Sequence, residues 1–470
     1  MPKRLLRHFG LVGIGVYLVS LLVVSLWFRD YAMKTLWVAW GVATVLFFFG
    51  LSYMFYSRWK DNATKTFVIK IFLVALGIRA IYVTAILYYY YFQTGVGMEY
   101  QAADSLRYHW DAARLCNLAR EGQYDEFRDF LRASTMGFSD QGYVVYLSLL
   151  YTLFGKNILI PRLLKALMSA YMCVAIYRLA SRSLDERTGR LAAVMAVFLP
   201  QFIHYTGTYM KETEMIFLAT LALERMDYLI RSKRYTFWNI LLPILLTALT
   251  FGFRTIMGMM LLVSFFVFIV FGDGLSMNKK AKGLFIGILA LITLVFFLTP
   301  IGEEMRIIFK VNFRESSYLS WKYQYLGLKY AEYARHRYLA PGAFTFPLTN
   351  LVEVANENQK MMNGTYFVKN YLAFFALWCL WVAFRERRWR SFTLVGTYTL
   401  LYVLVIAFSF ACMSERYHLA ALPGFVIMAA FTMTHFRKRD FVFYYSYEAL
   451  LLIAIVAWNY MKLAARGLIF

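Results

Sequence analysis

The sequence predicts an all-α polytopic membrane protein with about 13 transmembrane helices and two large external loops. Apolar residues make up 61% of the 470 positions, whereas soluble proteins are about 45–50% apolar. Charged residues make up 16%, against about 25% in soluble proteins. The apolar residues also occur in runs close to the roughly 20 residues that a spanning helix needs. These three observations exclude a soluble protein.

The first apolar run follows a basic start, as in a signal peptide. No small-residue cleavage site follows it, and a second run begins soon afterwards, so we expect an uncleaved first helix. The predicted helices lie near 11–28, 36–56, 67–92, 158–178, 191–206, 213–230, 238–252, 256–271, 284–300, 366–384, 392–410, 418–434 and 441–461.

The net charge of +23 is concentrated in alternate loops. Each of six short loops carries at least three Lys or Arg residues: 57–66, 178–190, 231–237, 272–283, 385–391 and 435–440. The positive-inside rule places these loops, and the N-terminus, in the cytoplasm. Because orientation explains the charge, we expect no nucleic-acid partner and only contacts with membrane lipids.

Two long polar segments, 93–157 and 301–365, interrupt the single membrane domain 1–470 on the external side. The first contains amphipathic stretches at 106–121 and 143–154, which predict helices on the membrane surface. The second is rich in Tyr and Arg, especially at 318–325. We expect both segments to cover one external cavity.

Ionisable residues beside helix ends on this external side are the candidate functional groups, because uncompensated charge near hydrocarbon is costly. They are Asp104, Arg107, Lys211, Glu212, Arg254, Glu415 and Arg416. Each has a structural alternative. Asp104 could be a helix N-cap, with Arg107 and Tyr108 on the same side. Lys211 and Glu212 could form a hydrated helix end, and Arg254 could extend to the interface.

The four cysteines and the external histidines His109, His204 and His418 lack ligand spacing. We therefore expect no metal site and no certain cofactor; a divalent cation is not indicated. The histidines are expected to be hydrogen-bonded at the interface.

Several segments resemble a known family. Asp104 followed by Arg107-Tyr108 opens the first external loop, and Gly142–Asn157 reads as a surface helix ending in Phe-Gly. Further similar segments are Pro161–Leu167, Ala180–Ala193 and Leu199–Glu212, and weaker ones surround Arg254 and Arg416-Tyr417. Together they resemble the GT-C fold glycosyltransferases that use polyprenyl-phosphate sugars, including protein O-mannosyltransferases and the aminoarabinose and galacturonic acid transferases of lipid A.

The resemblance implies an enzyme of a bacterial cytoplasmic membrane with its active site facing the periplasm. It implies a polyprenyl-phosphate sugar donor and a lipid, glycan or protein acceptor, and it makes Asp104 the general base. Which sugar and which acceptor are used stays open.

The chemistry of an inverting transfer needs one carboxylate to take the acceptor proton and cations to hold the departing phosphate. Asp104 and Glu212 are the catalytic candidates, with Glu212 binding sugar or acceptor or orienting Lys211. The substrate-binding candidates are Arg107, Tyr108, Lys211, Arg254, Arg416 and Tyr417.

Two other functions are compatible with a dozen helices. An O-antigen ligase or polymerase would place its main external loop late in the chain, whereas here the first large loop precedes the fourth helix. A flippase for lipid-linked sugars would show repeated halves and charges at mid-membrane. The apolar runs are mostly free of charge at their centres, which disfavours transport.

Overall fold

The computed structural model describes residues 3–100, 102–134, 138–273, 279–299, 302–303, 306, 337–354, 356–408 and 414–469. Over these residues the chain is nearly all helical, which confirms the predicted class. The Tyr- and Arg-rich stretch 318–325 of the second predicted loop lies outside the described residues.

The chain begins with three long helices and a group of shorter ones. They are α1 (Lys3–Trp27), α2 (Thr35–Trp59), α3 (Thr64–Thr94), α4 (Ala103–Arg120), α5 (Tyr124–Ser134), α6 (Phe138–Phe154), α7 (Leu159–Ser183), α8 (Glu186–Phe198), α9 (Pro200–Gly207) and α10 (Glu212–Ser232). The following helices are α11 (Phe237–Phe253), α12 (Thr255–Phe271), α13 (Lys279–Phe297), α14 (Glu357–Met361), α15 (Asn363–Arg385), α16 (Thr393–Phe408), α17 (Glu415–His418), α18 (Leu422–Thr434) and α19 (Asp440–Ala464).

Eight helical segments in the described part of the chain are long and apolar enough to cross a membrane. They correspond to α1, α2, α3, α7, α15, α16, α17 with α18, and α19. The other predicted runs are also helical, but α11 and α12 have only 17 residues each. The total of 13 spans therefore stays a prediction.

The predicted run 191–206 is divided into α8 and α9 at Pro200. Proline has no N–H to continue the hydrogen-bond ladder, so carbonyl groups at the end of α8 need other donors. Arg79 of α3 supplies them: its guanidinium donates to the carbonyls of Ala196 at 3.1 Å and Val197 at 3.2 Å. Its Nε donates to the hydroxyl of Ser169 at 2.7 Å. A buried arginine thus fixes where α9 begins.

Helix α10 carries charges that its apolar periodicity does not explain. Lys165 of α7 lies 3.5 Å from Glu214, and Arg182 of α7 lies 3.0 Å from Glu224 and 2.5 Å from Asp227. All three acidic side chains are buried. The basic residues of α7 compensate them, so the charges of α10 belong to a helix interface.

The six basic loops meet at one end of the helix bundle. Arg190 donates to the carbonyl of Asn62 at 2.7 Å, and Arg388 donates to that of Leu184 at 2.7 Å. Arg385 lies 2.9 Å from Asp440, and Arg231 lies 2.7 Å from Asp273. The opposite end of α10 carries Glu212, so the candidate residues lie at the other end of the bundle.

The first long segment forms α4, α5 and α6 rather than two surface helices alone. It approaches residues 337–362 of the second segment, where Asn358 donates to the carbonyl of Tyr100. The second segment also approaches the connection between α1 and α2, because the N–H of Glu353 donates to the carbonyl of Tyr31 at 2.7 Å.

Helices α1, α2 and α15 pack closely at Gly41. The hydroxyl of Tyr17 donates to Oδ1 of Asn363 at 2.6 Å in a buried position. A Cβ atom at Gly364 would lie 2.6 Å from the carbonyl oxygen of Gly41, and one at Gly41 would overlap both polar side chains. These glycines allow α2 to sit directly on α15.

We expect Gly41→Ala to destabilise the protein by about 1–3 kcal/mol, because overpacking forces neighbouring groups apart. Gly50→Ala on the same helix is the matched control, since a Cβ there meets no atom within 4 Å and alanine favours helix. Thermal melting in detergent measures both variants. Equal melting temperatures for Gly41→Ala and Gly50→Ala would contradict this packing.

Candidate active site

Arg416 joins two carboxylates that come from distant parts of the chain. Its Nε donates to Oε1 of Glu212, and its Nη1 donates to Oδ2 of Asp104. Arg416 lies on α17, Glu212 begins α10, and Asp104 lies in the first turn of α4. Three segments are therefore held at one point by a single guanidinium group.

Asp104 is not a helix cap. The N-cap of α4 is Ala102, which makes no side-chain capping bond, and Asp104 follows in the first turn. Its carboxylate instead reaches Arg416. The side chain stays 51% exposed, whereas that of Glu212 is 1% exposed. The capping alternative is wrong, and Asp104 is the more accessible of the two carboxylates.

Glu212 is an anion enclosed by cations. Burial alone would raise its pKa, but Arg416 and Arg254 together lower the pKa of this carboxyl below its ordinary value. Its second oxygen, Oε2, is buried and has no hydrogen-bond partner among the described residues. A buried carboxylate oxygen without a partner is costly, and the charges of Arg416 and Arg254 offset part of that cost.

Arg254 lies where α11 gives way to α12, in an extended conformation. Its guanidinium carbon is 4.8 Å from the ring centre of Tyr417, within the range of a cation–π contact. It also hydrogen-bonds the side chain of Tyr402 on α16. Lys211 supports this corner, since its Nζ donates to the carbonyl of Phe253 at 2.7 Å. The structure thus brings Lys211 and Tyr417 to Arg254.

Arg107 and Tyr108 point elsewhere on α4. Arg107 lies 3.5 Å from Asp111 on the same helix. Tyr108 is buried, and its ring meets that of Tyr143 edge-on with the centres 5.0 Å apart. Their predicted contacts with substrate stay predictions.

A cavity of about 250 Å³ opens beside Arg416. Its lining includes residues from the first loop, from the α9–α10 connection, from the second loop and from α19. They are Glu99, His204, Tyr205, Thr208, Met210, Pro347, Asn350, Asn356, Asn358, Gln359, Met362, Tyr366, Ser414, Glu415, Arg416, Trp458 and Lys462. Both long polar segments therefore border one cavity.

Glu415 is held by a buried lysine. Nζ of Lys369 lies 2.8 Å from Oε2 of Glu415 and 2.8 Å from Nδ1 of His418. Gln201 donates to the other oxygen of Glu415 at 3.3 Å. Lys369 was not among the predicted site residues, although its charge inside the apolar run 366–384 was a usable signal. This network fixes the segment that presents Arg416.

The three external histidines each have a side-chain partner. His109 lies 2.7 Å from the hydroxyl of Tyr151, and His204 lies 3.1 Å from that of Tyr82. His418 contacts Lys369, as described above. Within the described ranges no group of three His, Cys, Asp or Glu side chains is placed to hold a metal ion.

We expect Lys369→Met to destabilise the protein by about 3–5 kcal/mol, because it leaves the buried carboxylate of Glu415 without its cation. The double variant Lys369→Met, Glu415→Gln removes both charges and should recover much of the melting temperature. Thermal melting in detergent measures the three proteins. A single variant as stable as the unchanged chain would show that the pair does not hold this segment.

Part of the chain matches a known protein family. Residues 143–300 match the sequence profile of the dolichyl-phosphate-mannose-protein mannosyltransferase family. Lys211, Glu212 and Arg254 fall inside the matched part, whereas Asp104 and Arg416 fall outside it. A search of curated proteins found no match to this chain. The match confirms the resemblance to GT-C glycosyltransferases over residues 143–300, because the matched family is a domain of the GT-C class.

Proposed function

We propose that the protein is an inverting glycosyltransferase that moves a sugar from a polyprenyl-phosphate donor to an acceptor hydroxyl. The observation that carries this proposal is the bridge that Arg416 makes between Asp104 and Glu212. It places an accessible carboxylate, a buried anion and a guanidinium together, with Arg254 nearby. The family match supports a membrane glycosyltransferase in general.

Asp104 is assigned as the general base. It takes the proton of the acceptor hydroxyl while the acceptor oxygen forms a bond to the anomeric carbon. The bond between that carbon and the phosphate oxygen breaks, and the electron pair leaves with the lipid phosphate. The exposure of Asp104 gives an acceptor access to its carboxylate, which the burial of Glu212 does not.

Arg254 and Arg416 are assigned to the departing phosphate, which gains negative charge as its bond to the sugar breaks. Fixed cations in a site that excludes water stabilise such charge without reorganisation. A guanidinium can also bind two phosphate oxygens at once. Glu212 keeps Arg416 in place. Lys211 acts indirectly: its Nζ holds the carbonyl of Phe253 and so positions the neighbouring Arg254.

The distribution of charge supports an orientation. The basic loops form one end of the bundle and would face the cytoplasm by the positive-inside rule. The site at the other end would then face the periplasm of a bacterial cytoplasmic membrane. The acceptor would be a lipid, a glycan or a protein.

We expect Asp104→Asn to reduce sugar transfer by about 10²- to 10⁴-fold, the usual effect of losing a general base. Asparagine keeps the shape of the side chain and can still hydrogen-bond Arg416, but it cannot accept the proton. Transfer from a purified polyprenyl-phosphate sugar is measured under single-turnover conditions, and folding is checked by thermal melting.

Asp125→Asn is the matched control, since Asp125 lies on α5 in the same external segment and its side chain is 93% exposed. It should transfer sugar at the normal rate. Near-normal turnover by Asp104→Asn would remove Asp104 as the base and direct attention to Glu212 or Glu415.

A further inference from the structure

Four uncharged polar groups at the cavity beside Arg416 make no hydrogen bond to any other described residue. They are the hydroxyls of Tyr205, Tyr366 and Ser414 and the amide NH₂ of Gln359. These residues belong to α9, to α15, to the position before α17 and to α14. Four separate segments of the chain therefore bring hydrogen-bonding groups to one space.

The two tyrosine hydroxyls are open to the cavity. Each of the two residues is 7% exposed. Neither hydroxyl is enclosed by protein, in contrast with that of Tyr398, which is buried without a partner. The charges of Arg416 and Glu212 act on Tyr205. The hydroxyl of Tyr205 thus lies beside the proposed phosphate site.

The other two groups are held in place by backbone or amide contacts. Ser414 is the N-cap residue of α17, but its side chain makes no capping bond. Oε1 of Gln359 accepts from Nδ2 of Asn350 at 3.4 Å, which orients the amide and leaves its NH₂ without a partner among the described residues. A hydroxyl can donate and accept, and an amide NH₂ donates twice. The four groups together therefore match the hydroxyls of a sugar ring.

The ionised side chains of the cavity, by contrast, already have protein contacts. Glu99 accepts from the hydroxyl of Ser105 and from a backbone N–H of the α9–α10 connection at 3.1 Å. Nζ of Lys462 lies 4.9 Å from the ring centre of Trp458, and Glu415 is held as described above. Burying a charge without a counter-ion is costly. The cavity is therefore suited to an uncharged ligand.

Arg416 connects this cavity to the donor. Its Nε and Nη1 contact the two carboxylates, and its Nη2 has no hydrogen-bond partner in the described part of the chain. A donor phosphate bound to Nη2 carries its sugar through a single oxygen atom. The sugar must then lie next to Arg416, which lines the cavity. The volume of about 250 Å³ is slightly below the roughly 300–1,000 Å³ of pockets for drug-sized ligands, so it suits one sugar ring.

We propose that this cavity is the subsite for the donor's sugar, that it accepts one uncharged monosaccharide, and that Tyr205, Tyr366, Ser414 and Gln359 recognise the sugar hydroxyls. The inference rests on the proposed function and selects among its donors. A neutral sugar fits the four open groups, whereas a uronic acid or an amino sugar would bring a charge to a cavity whose own charges are engaged.

The test measures the affinity of the purified full-length protein for sugar-bearing and sugar-free polyprenyl phosphate by isothermal titration calorimetry. The neutral probes carry mannose, glucose, galactose or N-acetylglucosamine, and the charged probes carry galacturonic acid or aminoarabinose. The tightest neutral probe should bind at least about tenfold more tightly than sugar-free polyprenyl phosphate, because several hydrogen bonds each contribute about two- to tenfold. Both charged probes should bind more weakly than that neutral probe.

Tyr205→Phe, Tyr366→Phe and Ser414→Ala remove one open hydroxyl each and break no hydrogen bond within the described residues. Each should weaken binding of the tightest neutral probe about two- to tenfold and leave the affinity for sugar-free polyprenyl phosphate unchanged. Tyr88→Phe is the matched control, since Tyr88 is 61% exposed on α3 and does not line the cavity. It should bind both lipids like the wild type, and thermal melting checks the fold of every variant.

Equal losses for sugar-bearing and sugar-free lipid would assign the three hydroxyls to the phosphate and overturn the proposal. Unchanged affinities in all three variants would also overturn it, as would a charged probe that binds more tightly than every neutral one. If the wild type binds sugar-free polyprenyl phosphate and gains nothing from any sugar, this inference fails and the proposed function stands. A wild type that binds none of these lipids would contradict the proposed function itself.

Discussion

The guanidinium of Arg416, held between Asp104 and Glu212, is the interaction on which the candidate site depends. A buried carboxylate such as Glu212 is stable as an anion only with a cation beside it. The same cation fixes the first turn of α4 to the segment before α18, across 312 positions of sequence. Because one group contacts both carboxylates, the accessible Asp104 and the buried Glu212 are held in a fixed position relative to each other.

A second layer of buried charges keeps this arrangement rigid. Lys369 holds Glu415, the neighbour of Arg416, and Lys211 holds the corner that presents Arg254. Arg79 fixes the start of α9, which carries His204 and the wall of the cavity. Side chains that react are best positioned when their supports are themselves packed and hydrogen-bonded. Lys369 and Arg79 lie inside the apolar helices α15 and α3, whereas Lys211 lies just before the first residue of α10.

The sequence predicted the helices well and the contacts between them only in part. Apolar runs locate helices because each must bury or expose a continuous apolar face, but Pro200 divides one run that hydrophobicity alone joins. Membrane depth correctly grouped Asp104, Glu212, Arg254 and Arg416. It could not reveal that Arg416 lies between two carboxylates, nor that Asp104 does not cap α4. Both features depend on how α4 packs. Lys369 was missed because its partner Glu415 is distant in sequence.

The coupling between Asp104 and Arg416 tests the account most directly. A double-mutant cycle would compare single-turnover rates for Asp104→Asn, Arg416→Lys and the double variant, each checked for folding. If the two side chains act as one unit, their effects will be non-additive by at least about 1 kcal/mol, as is usual for residues in contact. Rate effects that add to within about 0.5 kcal/mol would show that the bridge by Arg416 does not organise the site.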